Sequence, residues 1–148
     1  MERNGLLPSI SLVNDWGETL TYETAEIERA GVNAAVITVR LTAINADELA
    51  VDVRRAASLL KRRLRPTDRL GGATSDQLSI LVTPTNELIE TVDRVRRIDD
   101  VLFEHRVPAI TAFAHRRPEE NLVDTWARSQ AELDRCLYRV LHGDGISV

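Results

Sequence analysis

The chain has 148 residues, 43% hydrophobic and 28% charged, which suits one ordinary globular domain with a sizeable core. Its formal net charge of -4 argues against nucleic-acid binding, which needs a concentrated positive field. The single cysteine excludes an intrachain disulfide and a cysteine-based metal site.

The first half of the chain predicts a lead-in, a helix, a strand and a second helix. Residues 1–13 form the lead-in, and a polar helix runs from Asp15 or Gly17 to Ala30 and ends at Gly31. Residues 34–41 are an apolar, β-branched run typical of a buried strand. The second helix has Asp47 as its predicted N-cap and ends before Pro66. Apolar residues at helical spacing form its inner face: Leu49, Val53, Ala56, Leu60 and Leu64.

The second half begins with a strand in which Leu78, Ile80 and Val82 alternate with other residues. This strand pairs back across a turn over residues 71–77. A helix carrying Leu88, Val92, Val95 and Leu102 follows, and then a strand over residues 107–114. The inner face of the last helix is predicted to be Leu122, Trp126, Leu133, Leu137 and Val140 or Leu141. A short terminal strand over residues 146–148 completes an order that predicts an α/β or α+β sandwich with a mixed sheet.

One stretch carries a recognisable motif. Arg65-Pro-Thr-Asp68 is followed by five residues and then by Thr74-Ser75-Asp76-Gln77-Leu78. Without a gap, this stretch resembles the signature of GGDEF domains, the fold of diguanylate cyclases, in which RxxD precedes GG[DE]EF by the same spacing. Weaker likenesses at residues 11–14, 133–139 and 143–148 extend the resemblance from about Asn14 to the end of the chain. It implies one palm-like domain over residues 14–148, with a mixed central sheet of about five strands and helices on both faces.

The departures from the family pattern predict that catalysis is lost. The aspartate that holds magnesium at the end of the first strand is replaced by Arg40, and most of the base-recognition segment after it is missing. In the turn, Thr74 and Ser75 replace both glycines and Gln77 replaces a glutamate, so that only Asp76 remains as a carboxylate. A cation beside the metal position would repel a divalent ion. We therefore expect no enzymatic activity, no catalytic residue, no bound metal and no cofactor.

Three arrangements of Arg40 stay open from the sequence. It can form an ion pair with Asp76 across the vacated site, point to solvent at the strand end, or hold a nucleotide phosphate directly. The histidines His105, His115 and His142 lack the spacing of a helical metal pair and are expected at the surface.

The RxxD motif of the family is an inhibitory site for cyclic di-GMP, so the resemblance implies that Arg65 and Asp68 bind this nucleotide. A guanidinium offers paired donors to guanine or phosphate, and a carboxylate accepts from the guanine N1 and N2 groups. Arg62 and Arg69 are close enough in sequence to neutralise the phosphates. The structural alternative is that Arg65 complements the helix dipole and Asp68 is an ordinary turn residue.

The favoured function is therefore a catalytically inactive bacterial signalling domain that serves as a cyclic di-GMP receptor. The alternative is a nucleotide-independent module for dimerisation or for binding a protein partner, and an active diguanylate cyclase is less favoured. No run approaches the roughly 18 apolar residues that span a membrane, and no secretory signal is recognisable. We expect a cytoplasmic protein.

Overall fold

The computed structural model describes residues 15–142, with the side chains of residues 15–139. The predicted lead-in, the motif at residues 11–14 and the terminal strand at residues 146–148 lie outside these residues. The elements follow one another as α1 (Trp16–Ala30), β1 (Ala35–Leu41), α2 (Ala46–Lys61), β2 (Arg69–Gly71), β3 (Gln77–Val82), α3 (Leu88–Glu104), β4 (Ala109–His115) and α4 (Leu122–His142). None of the described helices is long and apolar enough to cross a bilayer.

The sheet has the strand order β2-β3-β1-β4. The predicted α+β class is confirmed, but the prediction of about five strands in a mixed sheet differs from what the described residues form. They give four strands whose three pairings are all antiparallel. The helical crossover does make β1 and β2 run in the same direction. The tight turn after β2 then folds β3 back into the space between them, so the two parallel strands never become neighbours.

Side chains that alternate along the strands build one core on each face of the sheet. Ile37 and Val39 of β1 pack with α2 and α3. On the opposite face, Val36 and Leu81 pack with Leu20 and other residues of α1 and α4. Helices therefore cover both faces, as the sequence predicted.

The bounds of α2 differ from the prediction at both ends. Its N-cap is Asn45 rather than Asp47, because the Asn45 side chain accepts hydrogen bonds from the backbone N–H groups of Asp47 (2.7 Å) and Glu48 (3.2 Å). The helix ends at Lys61, well before Pro66. A proline restricts the backbone of the residue that precedes it, so Pro66 disfavours helix at residue 65 and does not set the end at Lys61. Leu64 lies beyond the helix and still packs against the core.

The other helices carry most of their predicted inner residues. In α4, Leu122 and Leu133 are fully buried, while Trp126 is partly buried against the core. The side chains of Val140 and Leu141 lie outside the described residues. Leu88 of α3 was predicted on the inner face but is 58% exposed. It is the first residue of the helix, and the buried residues of α3 begin only at Thr91.

Helix α1 is held to the sheet by Trp16, which is 2% exposed. Its ring contacts Trp126 edge to face, with ring centroids 6.4 Å apart. It also lies directly over Gly71 and Gly72, and a Cβ added at Gly71 would meet Trp16 Cε3 at 2.2 Å. Only a residue without a side chain leaves room for the indole at this point of β2.

Replacing Gly71 by alanine is therefore expected to lower the free energy of unfolding by about 1–3 kcal/mol through overpacking. The matched control is Gly17→Ala in α1, where the new Cβ meets nothing within 4 Å. This control should stabilise the helix by about 0.5–1 kcal/mol. Urea unfolding followed by tryptophan fluorescence measures both variants. Equal midpoints for the native protein and Gly71→Ala would contradict the placement of Trp16.

Candidate functional site

The turn between β2 and β3 is closed by the side chain of Thr74, one of the two residues in place of the family glycines. Its hydroxyl accepts hydrogen bonds from the backbone N–H groups of Asp76 (3.3 Å) and Gln77 (3.1 Å) and donates to the Asp76 carboxylate (3.1 Å). Ser75 is exposed between them. Hydrogen bonds of the Thr74 side chain thus stabilise this turn, whereas glycines at these positions would allow it through their backbone freedom.

Arg40, at the end of β1, lies between two carboxylates. Its Nη2 is 3.2 Å from Oδ1 of Asp134 in α4, and its Nε is 3.9 Å from Oδ2 of Asp76. The predicted ion pair with Asp76 is present, although Asp134 is the closer partner and was not predicted. Arg40 Nε is buried and lacks a hydrogen bond within the described part of the chain. The guanidinium fills the corner between strand end, turn and α4.

These residues do not fit a magnesium ion. The two carboxylates at this corner, Asp76 and Asp134, already face Arg40, so a divalent ion bound to them would lie beside a guanidinium. Within residues 15–142, no group of three or more acidic, histidine or cysteine side chains is arranged to hold a metal. No step of nucleotide chemistry can be derived through a metal at this corner.

The sheet face beneath this corner is closed by hydrogen bonds to α4. Gln77 stands in the position of the family glutamate, and its side chain accepts a hydrogen bond from Gln130 of α4 (3.2 Å). Thr38 lies within hydrogen-bonding distance of Ser129 (2.7 Å) and Ser79 (3.1 Å), and all three residues are fully buried. These contacts satisfy polar groups inside the core and leave no carboxylate on that face of the described strands.

The RxxD motif forms a second site at the other end of the sheet, built around Asp68. The Asp68 side chain is fully buried and accepts four hydrogen bonds. Two come from Arg65, through its backbone N–H (2.9 Å) and its guanidinium (3.3 Å). The others come from the Arg94 guanidinium (2.7 Å) and the backbone N–H of Thr83 (3.3 Å). The carboxylate therefore joins the exit of α2, the end of β3 and the middle of α3.

The electrostatics of Asp68 follow from these partners. Burial by itself raises the pKa of the Asp68 carboxyl, but the hydrogen bonds from Arg94 and Arg65 outweigh it, and the pKa lies below its ordinary value. The carboxylate is consequently ionised and has no exposed oxygen. Its role in this arrangement is to position Arg65 and Arg94.

Arg65 and Arg94 lie at a cleft of about 240 Å³ whose walls also include Arg97. Arg65 is about half exposed and donates a further hydrogen bond to the Pro84 carbonyl (3.1 Å). Arg97 is exposed and forms an ion pair with Asp93 at 2.8 Å. The cleft thus has two guanidinium groups open to solvent, those of Arg65 and Arg97, and a third, that of Arg94, which is largely buried. The acidic residues Glu90 and Asp93 also line it.

The predicted neighbours Arg62 and Arg69 are not part of this cleft. Arg62 is exposed at the C-cap of α2. Arg69 donates to the carbonyls of Pro66 and Asp68, at 3.0 Å each, and lies 3.5 Å from Glu23 of α1. Of the four predicted ligand-binding residues, the structure brings together Arg65 and Asp68.

Arg94 is the residue of the Asp68 cluster that the sequence analysis missed. A signal for it was present, because Arg94 falls at the spacing of Thr91, Ile98 and Val101, which are among the buried residues of α3. A charged residue on an inward face requires a buried partner of opposite charge. His115 was also misplaced at the surface, since it is partly buried and lies 2.7 Å from the Thr91 hydroxyl.

No protein-family model matches the sequence, and no curated protein matches it either. Solved GGDEF domains do match the fold. The GGDEF domain of DgcB from Caulobacter crescentus, in complex with c-di-GMP, has a TM-score of 0.72 at 14% identity, over 97% of this chain and 92% of that chain. A DGC protein from Thermotoga maritima has a TM-score of 0.64 at 15% identity, over 83% and 92%.

The diguanylate cyclase SiaD from Pseudomonas aeruginosa, in complex with its activator SiaC, has a TM-score of 0.68 at 17% identity, over 82% of this chain and 52% of that chain. At these identities the likeness establishes the fold. The chain therefore has the GGDEF-domain fold, and the resemblance drawn from residues 65–78 is confirmed.

Replacing Asp68 by asparagine is expected to lower the free energy of unfolding by about 2–4 kcal/mol at neutral pH, because it leaves Arg94 without its counter-ion. Since the folded-state pKa of Asp68 is depressed below its ordinary value of 3.8, its contribution is complete above that pH and is lost as the pH falls through the folded-state pKa. The difference between native protein and variant should shrink in the same acidic range.

The control for this variant is Asp47→Asn, at an exposed position in the first turn of α2, with an expected cost of less than about 1 kcal/mol. Denaturant unfolding at a series of pH values measures both. An Asp68→Asn protein as stable as the native one at neutral pH would show that the buried carboxylate does not anchor α3.

Proposed function

We propose that the chain is a non-catalytic signalling domain of the GGDEF type that binds cyclic di-GMP through Arg65 and Arg94. The observation that carries this proposal is the convergence of these two guanidinium groups, from different elements, on one buried carboxylate at the mouth of a cleft. A cytoplasmic location is part of the proposal.

The geometry supplies what a guanine nucleotide needs. A guanidinium fixed by a carboxylate keeps its remaining N–H groups aimed outwards, where they can donate in pairs to guanine O6 and N7 or to a phosphate. Because Arg65 and Arg94 are already held by Asp68, a ligand loses little binding free energy in ordering them. Asp68 itself acts as a positioning residue, since its oxygens are buried and fully used.

The size and charge of the cleft indicate how the ligand lies. A volume of about 240 Å³ is smaller than the usual site for a whole small molecule, so a guanine base enters the cleft and the phosphates stay outside. Outside it, Arg97 exchanges its ion pair with Asp93 for a phosphate oxygen. Because that exchange takes place between exposed charges, binding weakens as salt is added.

The similar proteins support this choice of ligand. The DgcB domain of similar fold was solved with c-di-GMP, and so was a second microbial GGDEF domain, with a TM-score of 0.69 at 13% identity. Neither likeness assigns the residues of this chain. The assignment to Arg65 and Arg94 comes from their shared partner, Asp68, and from their position in the walls of one cleft.

The absence of catalysis is the other part of the proposal, and Arg40 supports it. Its guanidinium lies between Asp76 and Asp134, which are the carboxylates nearest to the end of β1. In phosphoryl-transfer sites a metal ion at such a corner neutralises the charge that develops on the phosphates. Here an arginine lies between the two carboxylates and balances one of their two charges.

Isothermal titration with cyclic di-GMP tests the receptor function. We expect Arg65→Ala to weaken binding by about 10- to 100-fold, because a charge-assisted donor pair is lost. Arg94→Lys keeps the charge but loses the planar fork, and it should weaken binding in the same direction. Arg62→Ala, an exposed arginine outside the cleft, is the matched control and should bind like the native protein. GTP is the control ligand.

An absence of heat with the native protein would end the receptor proposal. Equal losses in Arg65→Ala and Arg62→Ala would show that binding responds to general positive charge rather than to the cleft.

Incubation of the native protein with GTP and either magnesium or manganese tests the absence of catalysis. We expect no cyclic di-GMP by chromatography, because Asp76 and Asp134 are held by Arg40 and cannot seat the metal. An active diguanylate cyclase assayed in parallel is the control. Formation of product by this chain, in proportion to protein concentration, would overturn this part of the proposal.

A further inference from the structure

Helix α3 exposes a row of residues that its contacts within the domain leave uncovered. Ile89, Asp93, Arg96, Asp100 and Phe103 follow one another at alternating spacings of four and three, which places them on one face of the helix. We call this row the α3 stripe. Its two ends are apolar, since Ile89 is 68% exposed and Phe103 is 84% exposed. These two side chains lie at opposite ends of the helix face, and the charged residues of the stripe lie between them.

The middle of the α3 stripe carries two unused charges of opposite sign. Within residues 15–142, the side chains of Arg96 and Asp100 make neither an ion pair nor a hydrogen bond, although they are one turn apart. By contrast, Asp93 is paired with Arg97, and Asp99 accepts a hydrogen bond from Thr111 (2.7 Å). The last turn of α3 holds no basic residue, and Asp100 lies near the negative end of the helix dipole, where a cation from outside the helix is favoured.

We propose that two copies of this chain associate through the α3 stripe, with their α3 helices antiparallel about a twofold axis. In this arrangement Arg96 of each copy faces Asp100 of the other, so the axis passes at the level of Ile98. A helix of the length of α3, about 25 Å, gives the two copies a contact several turns long. We assign a second copy of the chain as the partner because two antiparallel stripes place each Arg96 opposite an Asp100, so that the charges of the two copies are complementary.

The apolar ends of the stripe fit the same register. With Arg96 level with Asp100, Ile89 of one copy lies just beyond Glu104, where α3 of the other copy ends. A cleft of about 620 Å³ lies at this end of the helix and is lined by Phe103, Pro108 and Ile110, among others. Ile89 can therefore enter this cleft, while Phe103 covers the turn of the second copy that contains Asp93. Burial of these two side chains supplies the attraction that exposed ion pairs alone do not give.

This association requires no nucleotide and does not depend on the proposed receptor function. Arg65 and Arg94 lie outside the α3 stripe, although Asp93 belongs both to the stripe and to the walls of the ligand cleft. Because self-association is measured without nucleotide, each of the two proposals can fail without the other.

Charge reversal at the stripe tests the proposal. Sedimentation velocity at low salt, without nucleotide and over a wide range of protein concentration, measures the dimer. We expect Arg96→Asp and Asp100→Arg each to weaken self-association by at least about tenfold, because each turns two attractive pairs into two repulsive ones. The double variant carrying both changes restores the pairs in reverse and should dimerise like the native chain.

An equimolar mixture of the two single variants gives the most specific result. One copy then presents two carboxylates and the other two guanidinium groups, so we expect a heterodimer although each variant alone is monomeric. Arg135→Asp on α4 reverses an exposed charge on the opposite face of the sheet and is the matched control, which should dimerise normally. Phe103→Ser should weaken the dimer without lowering the thermal stability of the monomer, since the ring is exposed.

Three results would overturn the proposal. The first is a native chain that remains monomeric at every concentration. The second is a dimer that neither single reversal weakens, which would place the contact elsewhere. The third is a mixture of the single variants that stays monomeric, because then the losses would come from altered helices rather than from broken contacts.

Discussion

The fold and the proposed ligand site both depend on one buried carboxylate. An ionised group with no exposed surface is tolerated only when hydrogen bonds and counter-charges replace its water. Asp68 meets this requirement with donors from the exit of α2, the end of β3 and the middle of α3. The same bonds fix the directions of Arg65 and Arg94. Stability and recognition are therefore two consequences of one set of contacts, and the structural and ligand-binding interpretations of RxxD do not exclude each other.

The two ends of the sheet use the same electrostatics with opposite outcomes. At one end a cation, Arg40, lies between the anions Asp76 and Asp134, and the surplus charge is negative. At the other end an anion, Asp68, lies between two cations, and the surplus charge is positive and partly exposed. At the first end, a divalent ion would have to displace Arg40 from both carboxylates. At the second end, the arginines retain donors for an anionic ligand, and this is the end at which we propose the nucleotide site.

The sequence could predict a feature when residues close together in the chain determine it, and could not when the feature depends on contacts between distant elements. The continuous apolar run of β1 follows from burial on both faces, and the helical spacing in α2 follows from burial on one face. Both elements were therefore predicted, although the bounds of α2 were not. The N-cap was not, because Asn45 and Asp47 are both good capping residues and only the backbone geometry at Asn45 decides between them. The partners Asp134 and Arg94 depend on how α4 and α3 cross the sheet, which no local pattern contains. Arg94 still left a trace as a charge on an inward helix face, whereas Asp134 is exposed and left none.

The three arginines of α3 face different directions, so one helix can contribute to the fold, to the proposed ligand site and to the proposed contact with a second copy. Successive residues of a helix are rotated by about 100°, so Arg94, Arg96 and Arg97 point in three directions. Arg94 turns inward to Asp68, Arg97 turns to the cleft beside Asp93, and Arg96 turns outward and is left without a partner in the described structure. A cluster that looks like general positive charge in the sequence is thereby divided among an anchor, a ligand contact and a surface group. Because α3 is fixed by its anchor, the other two arginines are presented in constant directions, and the buried carboxylate controls surfaces that it never touches.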